Sequence, residues 1–172
     1  MQFDVDARTR RQGRFPHELA MVNLLVFNLM LCAGVLAGTM ARKGSLLEHY
    51  KLWLVNAPLA MSLRVIAYMM RRTAHAPADA PWFAAAHWSI TSRRFGVLLV
   101  AYLAGAALVG LSWLLSQASP NLQEVMCVAT KLIAVMVVAV LESSALFQAN
   151  SGEVPYGIVA RLPPPAEAMR PT

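Results

Sequence analysis

Charged residues are scarce in this chain. Of its 172 residues only 14% are charged and 58% are hydrophobic, and long stretches carry no ionisable side chain. Soluble domains usually carry about 25% charged residues, spread between apolar ones. The shortage of charge therefore excludes a disordered chain and a typical cytosolic enzyme.

Cysteine pairs and catalytic motifs are missing as well. Cys32 and Cys127 both fall in apolar stretches, and the sequence has no CxxC, HExxH, GxSxG or phosphate-binding glycine loop. These absences argue against a disulfide scaffold and against the common hydrolase and nucleotide-binding sites. The sequence predicts a protein that is not an enzyme, with no catalytic residues, no metal site and no cofactor.

Four long apolar runs fill most of the chain, at residues 19–40, 50–70, 95–115 and 125–147. Each has about 21–23 residues, enough for a helix to cross about 30 Å of hydrocarbon. Only a helix satisfies the backbone of a single segment in lipid. The prediction is an all-α membrane protein with four transmembrane helices. It has a basic segment at 1–18, a transmembrane domain at 19–148 and a proline-rich tail at 149–172.

Positive charge collects between the apolar runs. The chain has 15 Lys and Arg against nine Asp and Glu, giving a net charge of +6. With both termini in the cytoplasm, three basic residues lie outside and ten lie inside (Arg8, Arg10, Arg11, Arg14, Arg71, Arg72, Arg93, Arg94, Arg161, Arg170). The positive-inside rule therefore predicts cytoplasmic termini, in a cell inner (plasma) membrane. It also explains the basic balance without a nucleic-acid partner.

The aromatic residues and the longest connection refine this map. Trp53 and Trp113 are predicted to anchor the outer interface, and Trp82 and Trp88 the inner one. Between the second and third spans, a short helix at 82–90 in the interface plane is one option and an irregular loop is the other. The prolines of the tail favour extended structure.

Polar residues within the spans are the first functional candidates, because they are costly in lipid. Glu142 and Lys131 share a face of the fourth span, and Asn56 and Arg64 share a face of the second. Their depths predict an Arg64–Glu142 pair, with Lys131 at the level of Asn56. Helix packing, snorkelling towards headgroups, a proton or ion path, and contact with a partner subunit are the alternatives.

Small residues line two of the predicted helices. The first span places Asn23, Gly34 and Gly38 on one face, and the third offers Ala101, Gly105 and Gly110. Small side chains let membrane helices approach closely. These faces predict tight packing, and they leave a homo-oligomer open.

The histidines raise the question of haem. Two axial ligands would have to face each other on different helices. His17 and His87 both map to the cytoplasmic edge of the bilayer, so solvated or headgroup-binding side chains are expected instead.

Two functions compete on this basis. The first is a non-catalytic inner-membrane subunit or scaffold of a larger secretion, conjugation, respiratory or transport assembly, surrounded by lipid and by other membrane subunits. The second is a small ion- or proton-coupled transporter or channel that uses Arg64, Lys131 and Glu142.

Overall fold

The computed structural model describes residues 1–75, 80–114 and 120–166, without the side chains at 109, 112, 113, 120–125 and 127. The helices are α1 (Ala7–Val22), a π-helical segment (Asn23–Asn28), α2 (Leu29–Thr39), α3 (Leu46–Ala74), α4 (Trp82–Leu114), α5 (Pro120–Ser151) and the short α6 (Tyr156–Val159). Four stretches are long and apolar enough to cross a membrane: Ala7–Thr39, Leu46–Ala74, Trp82–Leu108 and Val128–Ser151. The predicted all-helical architecture is confirmed for the described residues, with four helices long and apolar enough to cross a membrane.

Two helix starts are encoded by local side chains. Asp6 precedes α1, and its carboxylate accepts hydrogen bonds from the N–H and the hydroxyl of Thr9. Ser45 precedes α3 and accepts from the Glu48 N–H, while the Glu48 carboxylate accepts from the Gly44 N–H at 2.6 Å. Each arrangement satisfies backbone donors that a helix leaves unpaired at its first turn.

The helices extend further than predicted at one end of the bundle. One end of the bundle is where α1 and α4 begin and where α3 and α5 end, and we call it the inner end. α1 starts at Ala7 rather than near residue 19, and α4 has 33 residues. Such a helix is about 50 Å long, well beyond a hydrocarbon core of about 30 Å. The charged residues near the inner end hid these turns from a search for apolar runs.

Residues 82–90, for which the sequence allowed a short interfacial helix or an irregular loop, form neither as a separate element. These residues are the first turns of α4, which runs without interruption from Trp82 to Leu114. Phe83, Ala86 and Ile90 are buried. The segment therefore packs inside the protein instead of lying in the interface plane.

The first residues of the chain pair with the residues that follow α5. The N–H of Phe3 donates to the Gly152 carbonyl at 2.9 Å, and the N–H of Val154 donates to the Met1 carbonyl at 2.9 Å. The Phe3 ring packs on Trp82, whose indole N–H donates to the Leu162 carbonyl. Residues 149–162 are therefore packed and partly helical rather than extended, whereas the proline run at 163–165 has no regular secondary structure.

The main core lies between the four long helices. Its buried members are apolar residues of α1, the π-helical segment, α3, α4 and α5: Ala20, Leu24, Ile66, Met69, Phe95, Leu98, Val135 and Val138. Large apolar side chains such as Val26, Leu103 and Ile133 are exposed on the outside. A bundle that is apolar inside and outside suits a lipid environment.

Candidate functional site

A close approach of α1 and α4 creates the most polar part of the interior. A Cβ atom added to Gly13 would lie 2.5 Å from the Phe83 ring and 3.3 Å from the His87 ring. Because Gly13 has no side chain, the two helices come together there. One turn further along α1, His17 reaches the same region of α4.

His17 is the centre of a fully buried cluster. Its Nδ1 atom lies 2.6 Å from Oε2 of Glu142 on α5, and its Nε2 atom lies 2.8 Å from Nδ1 of His87 on α4. None of the three side chains has any solvent exposure. The imidazole of His17 thus joins a carboxylate on one helix to a second imidazole on another.

Thr91 and Arg94 complete this cluster, which we call the His–Glu cluster. The Thr91 hydroxyl donates to Oε2 of Glu142 at 3.3 Å and lies 2.9 Å from Nδ1 of His17. The Arg94 guanidinium donates to the Leu141 carbonyl and lies 3.6 Å from Oε1 of Glu142. A buried carboxylate needs such opposite charge and hydrogen bonding to remain ionised.

Two atoms of the His–Glu cluster have unused hydrogen-bonding capacity. Within the described part of the chain, Oε1 of Glu142 and Nε2 of His87 make no hydrogen bond of good geometry, although Arg94 lies near Oε1 and the Glu153 backbone lies near the His87 ring. A buried polar atom without a partner is unusual in a folded protein and calls for an explanation. Here one such atom lies at each end of the Glu142–His17–His87 series.

The heavy-atom geometry accommodates two protonation states. A carboxylate only accepts, so the Nδ1–H of His17 donates to Glu142 in both. With His17 doubly protonated, its Nε2–H donates to Nδ1 of His87, which carries its own proton on Nε2. With one proton fewer, the His87 proton lies on Nδ1 and donates to Nε2 of His17. The distance between the two imidazoles is therefore compatible with either direction of the His17–His87 hydrogen bond.

A second buried polar group lies deeper in the bundle. The amide nitrogen of Asn28 donates to the Asn23 carbonyl at 2.9 Å and to the Ser62 hydroxyl at 3.2 Å. The Tyr102 hydroxyl bonds to the Asn28 side-chain oxygen and lies 3.0 Å from the Ser62 oxygen. The Lys131 ammonium lies 4.4 Å from the centre of the Tyr102 ring, a cation–π contact. We call these residues the Asn–Tyr cluster.

Asn23 stands between the two clusters along the first helix. It begins the π-helical segment, six residues after His17, and its side-chain amide is buried with no hydrogen-bond partner in the described residues. The rise of an α-helix puts six residues about 9 Å apart. π-Helical turns occur frequently at functional sites, because the widened turn frees backbone groups. Here the Asn23 carbonyl is one of the groups that Asn28 uses.

The predicted Arg64–Glu142 pair is wrong. Arg64 and Asn56 lie on the exposed face of α3, and the Glu142 carboxylate contacts His17, Thr91 and Arg94 instead. The reason is helix order: α3 packs against α2, the π-helical segment and α4, whereas α5 packs against α1, α2 and α4. Lys131 lies over the Tyr102 ring, and its depth relative to Asn56 stays a prediction.

The glycines of the predicted packing faces have different environments. A Cβ added to Gly34 would lie 2.5 Å from the Leu54 carbonyl oxygen, so α2 and α3 touch there through backbone. Among the described residues, the same atom added to Gly38 or Gly110 would meet nothing within 4 Å. Gly105 is buried and Ala101 half-buried in α4. Only part of each small-residue face is used within the monomer.

The four tryptophans also differ from one another. Trp53 is exposed, as an interface anchor would be. Trp82 and Trp88 are half-buried and pack against protein, Trp88 lying between the rings of Phe15 and Tyr68. The side chain of Trp113 lies outside the described residues.

Sequence reasoning misplaced His17 and His87, which are buried rather than solvated. A signal for His87 was present in the spacing of Phe83, His87, Thr91 and Phe95, which repeats every four residues and marks one buried face of a helix. The Arg93–Arg94 pair next to this face concealed it by ending the apolar run. His17 likewise shares one face of its helix with Gly13, Ala20 and Leu24, which are spaced by three or four residues and are all buried.

The histidine pair does not have the geometry of haem or metal ligands. Two nitrogens that each lie about 2 Å from one metal stand about 3.3 Å apart in a tetrahedral site and about 4 Å apart when they are axial haem ligands. The facing nitrogens of His17 and His87 are 2.8 Å apart, the separation of a shared proton. Among residues 1–75, 80–114 and 120–166, no group of three or more His, Cys, Asp or Glu side chains is arranged to hold a metal ion.

No family model, curated protein or solved structure matches this chain. A functional proposal therefore depends on the geometry of the site.

Proposed function

We propose that this protein is a small proton-coupled transporter or channel, in which His17, His87 and Glu142 form the proton-binding site. The observation that carries the proposal is the fully buried link from Glu142 through His17 to His87. Ionisable groups inside a membrane bundle usually mark a path for protons, ions or substrates. Neither this role nor the second candidate below involves enzymatic catalysis.

The proton path runs inward from the inner end of the bundle. One proton binds Nε2 of His87 from outside. A second proton, already on Nδ1 of His87, then moves to Nε2 of His17. The product is the charged His17 next to the Glu142 carboxylate, which stabilises it. Reversing both transfers returns the proton to the inner end, whereas net transport passes it onward to the Asn–Tyr cluster; the number of protons is conserved in each step.

The Asn–Tyr cluster extends this path towards the middle of the bundle. The unpaired Asn23 amide and the hydroxyls of Ser62 and Tyr102 offer donors and acceptors between the His–Glu cluster and Lys131. Hydroxyl and amide groups can hold a water molecule in a polar cavity. We propose that this group receives the coupled ion or proton from the inner side.

The charge asymmetry supports placing the inner end in the cytoplasm. Arg71, Arg72, Arg93 and Arg94 all lie at this end. On the positive-inside rule, we propose that the protein lies in a plasma membrane and that both termini face the cytoplasm.

Proton flux into liposomes tests this function. The full chain is reconstituted with an internal pH-sensitive dye, and a potassium diffusion potential drives protons inward. We expect Glu142→Gln to reduce the flux to that of protein-free liposomes. The matched control is Glu18→Gln, which removes an exposed carboxylate paired with Arg14 and is expected to conduct normally. Equal flux in Glu142→Gln and the unmodified chain would exclude the proposal, provided both elute as the same species.

A second candidate is a subunit of a larger membrane complex, and one observation favours it. Asn56, Ala60, Arg64 and Ala67 form a single stripe on α3, and all four are exposed. A charged group facing lipid is costly, and small residues suit a close helix–helix contact. We propose for this role a partner helix with an acidic side chain at the depth of Arg64.

A second copy of the chain fits this stripe poorly. A two-fold axis along the membrane normal would set Arg64 against the Arg64 of the other copy at the same depth, and like charges repel. The partner in this role is therefore a different membrane protein.

Purification from native membranes in mild detergent, followed by mass spectrometry, separates the two candidates. If the protein is a subunit, another membrane protein is expected to co-purify with it. The Arg64→Leu variant should lose this partner. The Arg42→Leu variant, changed at the opposite end of the bundle, should retain it. A chain that elutes alone and still conducts protons would reject the subunit role.

A further inference from the structure

A cleft at the inner end of the bundle is separate from both buried clusters. It has a volume of about 870 Å³ and is open to the outside. Its walls come from the start of α1, the end of α3, the start of α4 and the segment after α6. Four distinct parts of the chain thus converge around one space.

Each of these parts contributes one arginine. Arg8 comes from α1, Arg72 from α3, Arg93 from α4 and Arg161 from the residues after α6. Within the described residues, no carboxylate lies within ion-pair distance of any of the four guanidinium groups. Asp6 is the acidic residue in the wall, and its carboxylate is engaged in capping α1. The cleft therefore holds four arginines against one carboxylate, which leaves a concentrated positive charge.

The floor of the cleft is aromatic. Phe15, Tyr68 and Trp88 line it, and the Trp88 ring lies 6.0 Å from each of the other two rings, centre to centre. Phe15 and Tyr68 are also exposed on the outside of the bundle. An anion that binds here can rest an apolar portion against the rings while the arginines hold its charge.

We infer that this cleft is a binding site for a phosphate-bearing anion with an apolar portion, and that an acidic phospholipid headgroup is its source. Arginine binds phosphate oxygens through paired N–H donors, and several arginines suit a phosphate better than a lone carboxylate. Basic pockets between transmembrane helices on the cytoplasmic side bind acidic headgroups in this way. The site is independent of proton transfer, so each proposal can fail without the other.

Native mass spectrometry of the detergent-solubilised full chain tests the site. The protein is exchanged into mixed micelles with phosphatidylglycerol or with phosphatidylcholine, and the retained lipid is counted. We expect phosphatidylglycerol to be retained and phosphatidylcholine to be lost. In Arg72→Gln/Arg161→Gln, retention of phosphatidylglycerol should fall about tenfold or more, because two phosphate contacts are removed.

The control variant is Arg42→Gln/Lys43→Gln, which removes two exposed positive charges at the opposite end of the bundle and should leave retention unchanged. Arg72→Lys/Arg161→Lys keeps the charge and should retain part of the binding. Equal retention of the two lipids, or equal retention by the Gln variant and the unmodified chain, would overturn the inference.

A competition arm distinguishes the sources of phosphate. A lipid that contacts the aromatic rings as well as the arginines should stay bound in millimolar inorganic phosphate. If inorganic phosphate displaces phosphatidylglycerol from the unmodified chain, the same cleft binds a soluble phosphorylated ligand, and the lipid assignment is rejected.

Discussion

Nδ1 of His17 lies 2.6 Å from Oε2 of Glu142, although 125 residues separate the two along the chain. Both side chains are fully buried, and the contact joins the first long helix to the last. His87 on α4 lies on the other side of the same imidazole. Three helices of the bundle are therefore tied together by one titratable side chain.

Replacing His17 by Asn is expected to destabilise the protein by about 3 kcal/mol, because it leaves the buried Glu142 carboxylate without its closest hydrogen-bond partner. Thermal unfolding in detergent measures the effect. His75→Asn is the control, since His75 is exposed at the end of α3. Equal melting temperatures for the two variants would show that the His17–Glu142 contact does not stabilise the fold.

Substitution of Gly34 by Val is expected to destabilise the bundle by about 1–3 kcal/mol, the usual effect of overpacking a close contact. The added Cβ would meet the Leu54 carbonyl oxygen, and backbone cannot move aside as a side chain can. Gly38→Val, one turn further along α2, places its Cβ in open space. Melting temperatures of the two variants should therefore differ, and a loss of the same size in both would contradict the contact.

Tyr102→Phe is expected to lower stability by about 0.6–2 kcal/mol, because it leaves the Asn28 oxygen without its hydroxyl donor. The aromatic ring beside Lys131 remains. Tyr68→Phe provides the matched control, as the exposed Tyr68 makes a ring contact with Trp88 that the substitution preserves. Chemical unfolding of both variants measures the difference, and identical curves would remove the Asn–Tyr cluster from the stabilising interactions.

The start of α1 should depend on pH. The hydrogen bond from the Thr9 N–H lowers the pKa of the Asp6 carboxyl below its ordinary value of 3.8. Since the folded pKa is the lower one, the cap stabilises the helix above the unfolded pKa. That contribution is lost as pH falls through the folded pKa.

Hydrogen-exchange protection in the first turns of α1, compared between about pH 5 and pH 2, measures this loss. Asp6→Asn caps the helix without titrating, so its protection factors should not change with pH through this group. A loss of protection of the same size in Asp6→Asn would assign the pH effect to another group.

The architecture was predictable from sequence because lipid leaves a single segment little choice. Long apolar runs must be helices in a bilayer, and four such runs predict four spans. The stripe of Val135, Val138 and Glu142 on α5 was also predictable, and all three residues are buried as the helical repeat indicates. The inner helix ends were not predictable, because charged residues end an apolar run without ending a helix.

Which helices are neighbours was decided by the tertiary structure alone. Arg64 and Arg94 both lie near the inner half of the bundle, and sequence gives no means of choosing between them as the partner of Glu142. The choice follows from packing: α5 lies against α1 and α4, which brings His17 and Arg94 to Glu142, while Arg64 on α3 points outward. Periodicity in a sequence determines which face of a helix is buried. The identity of the opposing face depends on contacts between distant segments, and those exist only once the bundle has formed.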